Sequence, residues 1–160
     1  MILASDADLC ARLHNTPGTF AGLMDLYERN YIGIRRLIPE LPSAHIPWVS
    51  RVPNGLSLHM EVLDAFRYTT ELSLTYYFIR EQNRLAEPDL RIRIYHDARL
   101  AEVMAAQLRH RPEFRAAEHE WEKTPLRARW HVNRFLYKWL NYCLYQGHHF
   151  GDAGQHDVTP

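Results

Sequence analysis

Cysteine is nearly absent: the chain holds only Cys10 and Cys143, with no CxxC spacing. Nothing therefore argues for an oxidising compartment, and neither a disulfide framework nor a thiolate zinc cage is expected. An excess of one charge is missing too, since 19 basic residues balance 19 acidic ones and leave only the ten histidines uncounted. Without a global field, nucleic acid and anionic membrane surfaces are not expected partners. No apolar run approaches the roughly 18 residues of a membrane span. The opening MILASDAD carries neither the basic stretch nor the apolar core of a signal peptide, so a cytoplasmic location is expected by default. The chain also lacks GxSxG, a P-loop and the HxE with PCxxC pair, which removes the main hydrolase, NTPase and deaminase signatures. No GxGxxG follows a strand, and no HxH, HxxxH or HExxH falls in a regular element. Neither a cofactor nor a metal is expected.

What is present suits one domain: 160 residues, 46% of them hydrophobic and 24% charged. Pro125 to Gly147 has the most regular pattern. Ala128, Val132, Phe135, Leu136, Trp139, Leu140, Cys143 and Leu144 form one stripe at the helical period. Thr124 is the expected N-cap, Pro125 the first helical residue and Gly147 the left-handed residue past the end. The opposite face carries Arg127, His131, Arg134, Lys138, Asn141 and Tyr145, as a solvated surface would.

Nearer the start, Thr19 can cap a helix with Phe20, Met24, Tyr27, Tyr31, Ile34 and Ile38 on its apolar face, stopped by Pro39. Residues 1–18 read as an extension in which 6–14 can form a short helix. Pro39 to Pro47 holds three prolines and crosses to a sheet. Val49 and Val52, Pro53-Asn54-Gly55, then Leu56, Leu58, Met60 and Val62 predict an antiparallel hairpin. Residues 67–79 predict a strand with Leu72, Leu74 and Tyr76 on one side and Thr69, Glu71 and Ser73 on the other. After a polar loop over 80–89, Leu90 to Asp97 alternates again, with Ile92, Ile94 and His96 inward and Arg93, Tyr95 and Asp97 outward. Residues 98–108 fit a helix by composition and a strand by alternation. Residues 109–124 predict an irregular connection, and 148–160 a flexible tail.

In this order stand LYERNYIGIRRLIPEL, RYTT, YHDARLAEV and NRFLYKWLNYCLYQG. Together these motifs resemble the YqiB family, small bacterial proteins of unknown function, from about Leu26 to Gly147. In that family the segment after YHD often carries β-branched residues, which implies a strand over 98–108. Some members are labelled dehydrogenases, a label to which this chain, without a dinucleotide fingerprint, gives no support. Genes of the family often neighbour those of nucleotide hydrolases such as ADP-ribose pyrophosphatase, which implies nucleotides.

The expected architecture is α+β: an antiparallel sheet of four to five strands packed on one face by an N-terminal helix and the long C-terminal amphipathic helix. The other face is the expected binding surface, with Glu71, Arg93, Tyr95 and, at the edge, Arg67; arginine beside tyrosine can pair a phosphate and stack a base. A plain Glu71–Arg93 cross-strand pair is the structural alternative. His96, Asp97 and Glu102 are the candidate acid–base groups, although strand alternation separates His96 from Asp97. Trp48, Trp121 and Trp130 lack a place in the helix stripe and can line a groove. The chain is thus expected to be a non-catalytic binding or regulatory module for an anionic small molecule such as a nucleotide. An enzyme acting on a phosphorylated or nucleotide substrate is the first alternative. The second is a protein-interaction module built on Arg127, Arg134 and Lys138, and a homodimer is compatible with any of these.

Overall fold

The computed structural model describes residues 18–108 and 125–151. The first helix, α1 (Phe20–Leu37), starts where expected, with the Thr19 hydroxyl accepting the Gly22 N–H at 3.2 Å. Its buried face matches the one read from spacing only in part: Tyr27, Ile34 and Ile38 are buried as expected, Leu23, Leu26, Asn30 and Leu37 join them, and Phe20 is 67% exposed. The two stripes overlap, and the polar Asn30 disguised the rest of the buried one.

Five strands follow: β1 (Trp48–Ser50), β2 (Leu58–Ala65), β3 (Thr69–Arg80), β4 (Asn83–Tyr95) and β5 (Leu100–Gln107). They pair in chain order, all antiparallel. The β1–β2 hairpin is present, but its connection runs from Arg51 to Ser57, longer than a two-residue turn, with Asn54 in the left-handed region at φ 58°. The expected loop over 80–89 is instead mostly strand. Arg80 pairs with Asn83, and Glu81 and Gln82 alone make the turn with φ of 53° and 64°. Positive φ at both central residues marks the tight hairpin turn usually signalled by Asn-Gly, a signal Glu-Gln does not give. Opposite Tyr76, β4 carries both Glu87 and Pro88, a bulge that seats a proline without a ladder donor. Residues 100–107 are strand, as the family resemblance implied.

Leu58, Met60, Val62, Leu72, Leu74, Leu90, Ile92, Ile94, Ala101 and Val103 form the sheet's inner face and pack against Ile34, Leu37, Leu136 and Leu140. The second helix, α2 (Leu126–Gln146), buries Val132, Leu136, Trp139, Leu140 and Cys143, while Phe135 and Leu144 are only half-buried. Pro125 occupies the N-cap position with no side-chain cap bond, one residue from the expected place, and Thr124 lies outside the described residues. The helices approach closely at Gly33, where an added Cβ would stand 3.1 Å from Leu140 Cδ1. A smaller cluster joins Leu23, Leu26 and Tyr27 of α1 to Trp130 of α2 and to Leu100 of β5.

After α2 the chain turns back through Gly147 at φ 91°, with the Gly147 and His148 N–H groups donating to the Leu144 and Cys143 carbonyls. The expected tail does not start there: His148 and Phe150 are 2% and 1% exposed. Phe150 is an apolar anchor that closes the core's end, and its N–H donates to the Leu37 carbonyl at 2.9 Å. The expected short helix over 6–14, the connection over 109–124 with Trp121, and residues 152–160 lie outside the described residues.

Candidate functional site

Antiparallel register aligns Glu71 with Arg93 and Arg93 with Glu102 on the sheet face away from the helices. Glu71 is only 7% exposed. A carboxylate so buried needs compensation, and Glu71 takes it from two neighbours on β4. Arg93 donates Nε and Nη2 to Oε1 at 2.8 and 2.5 Å; Arg91 donates Nε and Nη2 to Oε2 at 3.0 and 2.5 Å. Asp64 adds a more distant contact to Arg91 at 3.8 Å. Burial alone would raise the Glu71 carboxyl, but the hydrogen bonds from Arg91 and Arg93 outweigh it and hold the group below its ordinary range.

Tyr95 donates to Glu102 at 2.5 Å. Burial, and then the Glu102 hydrogen bond, push the Tyr95 hydroxyl upward. The charge of Glu102 also reaches the buried Tyr27 hydroxyl on α1, which burial raises first and Glu102 raises further. The expected surface residues Glu71, Arg93 and Tyr95 thus come together, but as a mutually satisfied network. Arg67 stands apart on the exposed β2–β3 turn, its guanidinium carbon 5.2 Å from the Tyr68 ring centroid.

The acid–base candidates do not converge. His96 Nε2 lies 2.7 Å from Thr70 Oγ1, and Thr70 pairs with the core-facing Ile94. Asp97 is exposed and caps the turn by accepting the Ala98 N–H at 3.0 Å. Glu102 faces the far side with Tyr95. Among the described residues no group of three His, Cys, Asp or Glu side chains is arranged to hold a metal ion.

A second feature lies on α2, where a cavity of about 360 Å³ is lined by Trp130, His131, Arg134, Phe135 and Lys138. Helical spacing puts Trp130, Arg134 and Lys138 in one row, and His131 and Phe135 in the row beside it. The Arg134 guanidinium lies 5.2 Å from the Trp130 ring centroid, and the Trp130 and His131 rings meet edge to face at 5.1 Å. Among the described residues, neither Arg134 nor Lys138 is recorded with a carboxylate partner. Spacing alone gave this row as a solvated face. Trp130, singled out in the sequence as a residue able to line a groove, is the aromatic member of this wall, but spacing did not join it to the basic row. Trp48, by contrast, packs against the core.

A family model described as "Protein of unknown function (DUF1249)" matches residues 33–149. The uncharacterized proteins YqiB of Escherichia coli K12 and of Escherichia coli O157:H7 are each 32% identical over 138 residues, covering 80% of this chain and 90% of theirs. No solved structure matches. No helix among the described residues is long and apolar enough to cross a membrane.

Proposed function

The chain belongs to the DUF1249 family of proteins of unknown function, and from its geometry we propose a non-catalytic binding module for a small anionic molecule, a nucleotide among the candidates. One observation carries this reading: a cavity of about 360 Å³ with Arg134, Lys138 and His131 on its wall beside Trp130 and Phe135. That volume lies within the range of small-molecule sites. Arg134 offers a fork for a phosphate or carboxylate, Lys138 a second positive charge, and the half-buried Phe135 an apolar wall for a ring. The sheet arginines lend less support, because Glu71 already occupies both guanidinium forks.

A thermal-shift series with inorganic phosphate, mononucleotides and cyclic dinucleotides tests the proposal. Ligand at a hundred times its Kd stabilises by about 2.7 kcal/mol, a shift of several degrees. The Arg134→Ala, Lys138→Ala double variant should lose that shift, and Arg93→Ala should keep it. A shift lost with Arg93 instead would move the site to the sheet, and no shift with any anion would remove the proposal.

A further inference from the structure

His148 is an ionisable group enclosed at the point where the chain leaves α2. Its Nδ1 lies 2.9 Å from Ser50 Oγ, and the same oxygen accepts the His149 N–H at 3.1 Å. Nε2 is buried with no hydrogen-bond partner among the described residues. The ring packs 5.7 Å from Tyr76, whose hydroxyl lies 3.6 Å from Cys143 Sγ. The groups around it are therefore Ser50 of β1, Tyr76 of β3 and Cys143 of α2, with Tyr142 beyond Tyr76 at 6.5 Å between ring centroids. Burial raises both Tyr76 and Cys143, so neither carries a charge near neutral pH. His149, the next residue, is exposed.

We propose that His148 is an acid-sensitive latch: protonating its imidazole releases the segment from His148 to Gly151 from the end of the core. An imidazolium carries a proton on both nitrogens, and here its charge would be buried with, among the described residues, no acceptor at Nε2 and no balancing carboxylate. The ring reaches water only by leaving, and it takes its neighbours with it. Phe150, two residues on, is held by one backbone bond to Leu37 and by apolar contact. Its departure uncovers the Leu37 carbonyl and the apolar end of the core. Burial lowers the affinity of the docked ring for a proton. Each pKa unit of lowering weakens docking tenfold in acid.

Hydrogen exchange of the Phe150 amide, followed by NMR on the full chain between about pH 7.5 and about pH 5.5, spans the range in which a free imidazole titrates. The protection factor at Phe150 should fall, by up to about tenfold, while that of Ile92 in the interior strand β4 holds. His148→Asn, whose amide can donate to or accept from Ser50 and does not titrate, should abolish the fall; His149→Asn should not. Unchanged protection in the wild type, or an equal fall in His148→Asn, overturns the latch. Should the Asn variant fail to fold, the His148 ring resonance of the wild type decides. A midpoint that coincides with the loss of Phe150 protection supports the latch, and a ring that titrates while Phe150 stays protected refutes it.

Discussion

Glu71 shows what one residue can decide on this sheet. Strand alternation placed it opposite Arg93, and that pairing could be read from the sequence. The share of Arg91 could not: its partner in register is Ser73, and it reaches Glu71 diagonally with a side chain whose length no periodicity records. That second arginine turns an expected anion-binding surface into a closed ionic network. Removing one member of a buried ion pair costs about 3–5 kcal/mol because the other is left uncompensated. Both guanidinium groups here retain some water contact, so Glu71→Gln should cost about 3 kcal/mol, the low end. Urea unfolding checks this, with the midpoint lowered at unchanged slope. A loss under about 0.5 kcal/mol would make the network ordinary surface decoration.

Both long helices and four of the five strands were legible as elements, because apolar periodicity survives whatever the tertiary packing. What escaped was how elements join. Asn30 and Asn133 are each 0% exposed and lie where spacing rules see only interruptions. Asn133 accepts the Val103 N–H of edge strand β5 at 3.0 Å and donates to the Arg129 carbonyl at 2.9 Å. Its own carbonyl accepts from Asn30 Nδ2 at 3.2 Å. One side chain therefore fastens α2 to the sheet, and its backbone fastens α2 to α1. Replacing Asn133 by Leu strands a buried strand donor, so a loss of about 2–3 kcal/mol is expected, with the Val103 amide among the first to lose exchange protection. An Asn133→Leu variant as stable as the parent would show that another acceptor reaches Val103. The candidate site was less legible: the sequence pointed to the sheet face around Glu71, Arg93 and Tyr95 and gave the basic row on α2 as a solvated or interaction surface, and only packing showed that Trp130, Arg134 and Phe135 share a cavity wall.

For the molecule as a whole, the buried ionisable groups define a pH window, since the net charge of zero supplies no strong general repulsion. His148 is held below its ordinary value by burial, so its contribution is complete above the unfolded pKa near 6.5 and declines as pH falls from there. Glu71 is likewise depressed, and its contribution declines later, below about pH 4.3. On the alkaline side the signs reverse. Burial pushes the Cys143 thiol up to about 11, so stability is lost as pH rises from the unfolded value near 8.5. Tyr27 and Tyr76, also raised by burial, follow above about pH 10. Unfolding free energy measured by urea titration at successive pH values should therefore be flat between about pH 6.5 and about pH 8.5 and fall on both sides. His148→Asn should move the acid edge down toward the Glu71 range, and Cys143→Ala should move the alkaline edge up toward the tyrosines. Edges that stay in place in both variants would show that groups other than these buried ones set the window.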